Sequence, residues 1–210
     1  MNPTKIDWPG LTHTWNPVTG CLRGCKYCYA RKNWNRLHRK REGCEFDEIK
    51  FYPDRLEEPC IIKKPSKIFV GSMTDWEYWP IWMRDKVRSM IDRCKHHTFM
   101  LLSKSPTVFY GLGQNGIFNE MHGLTMTCEE VLTEMQEYKI REIESALRPF
   151  VSIEPLIGTL KTDIMGCELV IVGAMTGPGA IKPEREWIES IKRHVPADKI
   201  YWKKNIQKFL

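Results

Sequence analysis

Short apolar, β-prone runs alternate along this chain with longer segments of helical spacing, and that alternation restricts the fold class more than any other feature. The clearest run is Lys67-Ile68-Phe69-Val70-Gly71, set between Pro65 and a polar turn. Residues 81–94 follow, with Val87, Met90, Ile91 and Cys94 on one helical face. Thr98-Phe99-Met100-Leu101-Leu102-Ser103 is the next strand, and Pro106 suits a helix start after it. Further strands are predicted at 12–15, 124–127, 150–154, 168–173 and 199–202, and further helices over 29–41, 129–147 and 183–194. A glycine-rich segment covers 111–123.

Repeated βα units with apolar strands imply a mostly parallel sheet covered by helices. About six units are too few for a closed eight-stranded barrel. No Gly-rich fingerprint opens the first helix after a strand, which argues against a dinucleotide-binding fold. The expectation is therefore α/β: a partial (β/α)6-type barrel forming one domain over residues 1–210. A loop-like insertion is expected at about 43–64, where Gly43, Pro53 and Pro59 break the pattern.

Composition narrows the setting. Hydrophobic residues make up 42% of the chain and charged residues 28%, a globular balance. No apolar run is long enough to span a bilayer, and no secretory signal is read at the N-terminus, so a cytoplasmic protein is expected. The net charge of +6 permits an anionic partner, but the cations are interleaved with acids. The densest basic run, residues 36–41, reads equally as a phosphate contact or as the solvated end of a helix. The same two readings apply to Lys203-Lys204.

Eight cysteines are present, three of them crowded into Gly20-Cys21-Leu22-Arg23-Gly24-Cys25-Lys26-Tyr27-Cys28. Such spacing is not that of a disulfide framework. In a reducing compartment these are thiols or metal ligands. Three thiolates on one loop can wrap one side of an Fe–S cubane, and supplying three of the usual four ligands leaves one iron open. A zinc site completed by His13 or His38 remains an alternative, as does a redox pair formed by Cys25 and Cys28. Cys44, Cys60, Cys94, Cys128 and Cys167 lack cluster spacing and are expected to be buried thiols.

The spacing Cys21-x-x-x-Cys25-x-x-Cys28, with Tyr27 before the last cysteine, resembles the signature loop of radical S-adenosylmethionine enzymes. Trp15-Asn16-Pro17-Val18-Thr19-Gly20, Val70-Gly71-Ser72-Met73-Thr74-Asp75, Leu101-Leu102-Ser103-Lys104-Ser105-Pro106 and Val151-Ser152-Ile153-Glu154-Pro155-Leu156 extend the likeness over about residues 11–178. As an ordered set they resemble a small phage-associated and microbial branch of uncertain function. The chain differs from many members in its shorter first cysteine spacing. It also reads Gly173-Ala174-Met175-Thr176-Gly177 where others carry a Gly-Glu-Ser-Gly-like turn.

The resemblance implies a [4Fe–4S] cluster on Cys21, Cys25 and Cys28, after the first strand. The open iron would bind S-adenosylmethionine, whose reductive cleavage yields a 5′-deoxyadenosyl radical that abstracts hydrogen from substrate. It implies a reductant such as flavodoxin or ferredoxin. Gly71, Ser72 and Met73 match the stretch that contacts the methionyl amine, and Asp75 lies beside it. Thr125 and Thr127 are candidates near the ribose, and Glu154 for ribose hydroxyls or substrate. Cys128, just past the fourth strand, is either a hydrogen donor to a product radical or a packing residue. The substrate is unknown, with a nucleic acid or nucleotide favoured over a small metabolite or peptide. Trp76, Tyr78, Trp79 and Trp82 are expected to cap uncovered apolar side chains, with base stacking as the alternative. A degenerate accessory protein of the same fold remains open.

Overall fold

The computed structural model describes residues 1–38, 40, 43–110, 119–129 and 133–210. The backbone divides into two compact units, Met1–Lys5 with Leu11–Leu102, and Ile6–Gly10 with Ser103–Leu210. The architecture is mixed α/β, with strands that pair mostly in parallel. Among the described residues, no helix is long and apolar enough to cross a membrane.

In the first unit, β1 (Asn2–Pro3) lies antiparallel to β2 (Leu11–Trp15). After β2 come β3 (Val18–Thr19), α1 (Tyr29–Asn33) and β4 (Lys50–Phe51), with β3 and β4 forming a separate antiparallel pair. α2 (Glu58–Ile61), β5 (Lys67–Val70), α3 (Ile81–Arg93) and β6 (Thr98–Ser103) complete it. β5 pairs in parallel with β2 on one side and β6 on the other. Ile68, Val70, Phe99, Met100 and Leu101 are fully buried, as strands covered on both faces require. α3 turns Met83, Val87, Met90 and Ile91 inward at helical spacing, and Trp15 packs on Phe99 with ring centroids 5.9 Å apart.

The second unit holds β7 (Glu120–Met126), α4 (Thr133–Glu144), β8 (Phe150–Ile153), β9 (Leu169–Val172), α5 (Arg185–His194) and β10 (Ile200–Trp202). Its strands run in the order β7, β8, β9, β10, all parallel. Val170, Ile171 and Val172 are consecutive and fully buried, again the mark of a strand with both faces covered. α5 buries Ile188 and Ile191 and carries Lys192, Arg193 and His194 in its last turn, where cations complement the helix dipole. Trp8, from the short N-terminal stretch of this unit, is buried edge-on against Phe150 at 5.9 Å.

Several expectations need correction. The insertion at 43–64 is not simply loop. It contains β4, a 3₁₀ turn at Pro53–Arg55 and α2. Pro53 and Pro59 sit in the first turns of the two short helices, where a missing N–H costs nothing, so they start structure there rather than break it. The helix expected from Tyr29 is α-helical only to Asn33 and continues as a π-helical turn over Trp34–His38. β7 begins at Glu120, ahead of the expected 124, with the buried Glu120 and His122 side chains paired at 2.8 Å within it. Residues 39 and 41 of the helix expected over 29–41, 111–118 of the glycine-rich segment and 130–132 of the helix expected over 129–147 lie outside the described residues. Cys60 and Cys94, expected as thiols, are paired in a disulfide with Cα atoms 5.8 Å apart. α2 sets Cys60 beside the C-cap of α3, which is Cys94.

Candidate functional site

The candidate residues fall in both units, each following the carboxyl end of a strand in its own unit, which is the usual place for ligands in parallel α/β sheets.

In the first unit the cysteine loop follows β2 and β3. It is fastened to the turn after β5, with the Gly20 N–H donating to Met73 O at 3.0 Å and Thr74 Oγ1 donating to Gly20 O at 2.6 Å. Gly20 is required here. Its φ is +97°, and a Cβ would lie 2.0 Å from the Glu48 carbonyl oxygen. On its other side the Cys21 N–H donates to Phe46 O at 2.8 Å, and Arg31 Nη2 donates to Cys21 O at 3.2 Å. Cys28 caps α1, its Sγ accepting the Arg31 N–H at 3.4 Å.

Cys21, Cys25 and Cys28 are free, partly exposed thiols. Burial pushes the Cys21 thiol up to about 11, and the charges of Asp75, Cys28 and Cys25 add to the rise. Among the described residues, no three His, Cys, Asp or Glu side chains converge into a metal-holding set. The three thiols share one loop without being gathered into a cage.

The turn after β5 is held by a residue that sequence reasoning missed. Asn16 Oδ1 accepts from the Met73 N–H and from Ser72 Oγ, each at 3.2 Å. Its signal was a side-chain amide placed directly after a strand end. Gly71, at φ +76°, is closely covered, since a Cβ would come within 2.9 Å of Thr74 Cγ2 and 3.2 Å of Trp79. The carbonyls of Gly71, Ser72 and Met73 accept from Thr74 N, Tyr29 OH and Gly20 N respectively. A carbonyl oxygen has two lone pairs, so each retains one.

Asp75 is buried and structurally engaged. It caps the turn at Trp76–Tyr78 by accepting the Glu77 N–H, and it lies 3.8 Å from Arg23 Nε. Arg23 also pairs with Glu77 and lies over the Tyr78 ring. Beside this turn, Arg23 Nε and Trp76 Nε1 are buried among the described residues without a hydrogen-bond partner, Arg23 Nε lying 3.8 Å from Asp75. Trp76 and Trp79 are buried and stacked at 4.2 Å, and Trp82 packs edge-on against Phe51. Trp76 and Trp79 are thus packed away, while Trp82 is about half exposed at 49%. Cys44, set aside on spacing, packs with Cys21 and Cys28 against the Ala30, Trp34 and Phe46 cluster. His13 contacts Thr12 at 2.9 Å, and the side chain of His38 lies outside the described residues.

In the second unit Glu154 ends β8 and is held on three sides. It accepts from Trp8 Nε1 at 2.7 Å and from Ser152 Oγ at 2.9 Å, and it pairs with Lys203 just past β10. Gly173 leaves the space these two occupy, as a Cβ there would meet Glu154 Oε1 at 2.9 Å. Thr125 is partly buried in β7 opposite Ser152, and Thr127 is buried with its hydroxyl donating to Glu129 at 2.9 Å. Cys128 is buried at φ +62°, with its carbonyl oxygen 1.9 Å from where a Gly158 Cβ would lie. Trp8 and Lys203 are the neighbours of Glu154 that sequence reasoning left unassigned to it, because their partnership spans 146 and 49 residues.

Residues 3–206 match the model of the family described as "Protein of unknown function (DUF5131)". No curated protein and no solved structure matches the chain.

Proposed function

We propose that this chain, which belongs to the DUF5131 family, is a radical S-adenosylmethionine enzyme on a partial-barrel fold, with Cys21, Cys25 and Cys28 as ligands of a [4Fe–4S] cluster. The observation that carries this reading is the cysteine loop itself. Three free thiols occupy one loop beyond a strand end, and that loop is fastened through Gly20 to the 71–74 turn. When bound, the cluster would supply the electron that cleaves S-adenosylmethionine to methionine and a hydrogen-abstracting 5′-deoxyadenosyl radical.

The chain's own residues then have definite work. Asn16 orients the Ser72–Met73 peptide, leaving the carbonyls of Ser72 and Met73 a lone pair each for an ammonium group. Trp76 Nε1 is a buried donor suited to a carboxylate. The stacked Trp76 and Trp79 keep water from the back of the turn. Asp75 holds Arg23 in place. In the second unit Thr125 and Thr127 are assigned to the ribose side, Glu154 to a hydroxyl of cofactor or substrate, and Cys128 to hydrogen donation. A flavodoxin- or ferredoxin-like protein would deliver the electron, and a nucleic acid or nucleotide is the favoured substrate.

The test is anaerobic reconstitution with iron and sulfide, reduction with dithionite, and assay for 5′-deoxyadenosine from S-adenosylmethionine, with Cys25→Ala as control. Nucleoside formed only by the intact loop is the expected result. A colourless protein that yields none overturns the reading.

One observation favours a second reading, a zinc module. Cys44 shares a small apolar cluster with Cys21 and Cys28, and a fourth thiolate would close a tetrahedral site. The two readings separate on Cys44→Ala. Under the radical-enzyme reading it leaves nucleoside formation intact, whereas under the zinc reading it strips the metal.

A further inference from the structure

We propose that the cleft beyond the carboxyl ends of β9 and β10 is a binding site for the phosphate group of a nucleotide, either free or within a single strand. It is a cavity of about 460 Å³ in the second unit, within the size range of small-molecule sites. Lys182, Lys204 and Lys208 converge on it from two separate segments, and all three are exposed. Among the described residues no carboxylate lines it, and none of the three ammonium groups is in an ion pair. Asp7 accepts the Lys204 backbone N–H at 2.6 Å and feels the Lys204 charge, but it is not part of the lining.

The turn beside the lysines is open. Gly177 and Gly179 both take positive φ, at 94° and 72°, and a Cβ on either would meet nothing within 4 Å, so the turn faces open space. Pro178 between them has no N–H and the Ala180 N–H is spent on Gly177 O, so the turn is not an anion nest and the charge that would hold an anion comes from the lysines. Asn205 fixes the base of this turn, accepting from Ala174 N at 3.2 Å and donating to Ala174 O at 2.8 Å. Phe209 and the half-exposed Ile181 add an apolar wall. Cations beside an aromatic wall take a phosphate together with the flat group it carries, which is a nucleotide.

The sequence pairs Lys203 with Lys204 as neighbours, but the fold separates them. Lys203 is committed to Glu154, and Lys204 to the cleft. The site stands whether or not the cysteine loop carries a cluster.

The experiment uses the full chain as purified. Binding of a fluorescein-labelled oligothymidylate about twelve nucleotides long is followed by anisotropy against salt, with adenosine monophosphate as competitor. K182Q/K204Q/K208Q is compared with K63Q/K64Q/K95Q, which removes the same charge from exposed positions elsewhere. The cleft variant is expected to bind at least about tenfold more weakly, with a salt slope smaller by about 2, while the control changes less than about twofold. Competition by adenosine monophosphate identifies a free nucleotide as ligand, and its failure identifies the strand. No binding by the parent chain, or equal losses in the two variants, overturns the proposal. Amide resonances of Thr176, Gly177 and Gly179 provide a second readout that needs no variant. They should move on addition of whichever ligand binds, and unmoved resonances with that ligand bound would place it elsewhere.

Discussion

The raised Cys21 thiol offers a quantitative test of the cysteine loop in the metal-free chain. Its titration is displaced from an ordinary 9.0 to about 11, by burial first and then by the charges of Asp75, Cys28 and Cys25. At pH 8 an ordinary thiol is about one-tenth thiolate, and Cys21 about one-thousandth, a ratio of about 100. Thiolate nucleophilicity rises with basicity with a Brønsted coefficient of about 0.4–0.5, which restores about 8-fold. Exchange of Cys21 with a small disulfide reagent should therefore be about tenfold slower in the folded chain than in the same chain in urea. Mass spectrometry of quenched samples reads each cysteine separately. Asp75→Asn should speed Cys21, because the amide keeps the cap on the Glu77 N–H while removing the charge. Equal rates for Cys21 in the folded and unfolded chains would refute this picture of a buried thiol among negative neighbours. So would an unchanged rate in Asp75→Asn.

Glu154→Gln should destabilise the second unit by about 1–3 kcal/mol in urea denaturation, since it leaves Lys203 without its counter-charge at a site where both side chains are mostly buried. A change below about 0.5 kcal/mol would mean that this carboxylate is not a structural tie. His97 is buried with Nδ1 accepting the Ser66 N–H at 3.1 Å and Nε2 donating to Pro59 O at 2.9 Å, a pairing open only to neutral imidazole. Burial lowers its titration below the ordinary 6.5, so the unfolded chain takes up the proton first and stability falls as pH drops through 6.5. Denaturation at pH 7.5 and 5.5 should show that loss in the parent chain and a smaller one in His97→Gln; equal losses would exclude His97 as its source.

The sequence by itself determined the βα alternation and the near-continuous apolar strands, because a strand buried on both faces must be apolar at successive positions. β6 and β8 to β10 match their expected runs to within a residue or so at each end. The crowding of Cys21, Cys25 and Cys28 was legible for a related reason, since it depends on neighbours in the chain. Relations over long separations were not legible. Asn16 reaches the turn at 72–73, Trp8 and Lys203 close on Glu154, Cys60 meets Cys94, and Lys182 joins Lys204 and Lys208. No local propensity encodes such contacts. They arise when parallel strands set their carboxyl ends side by side and bring distant segments within hydrogen-bonding reach. The same geometry set the surroundings of residues whose role the sequence left open. It buried Trp76 and Trp79 as packing residues and turned Cys128 into a constrained backbone position. It sent one lysine of an adjacent pair to a carboxylate and the other to an open cleft, because consecutive residues after a strand diverge toward different neighbours.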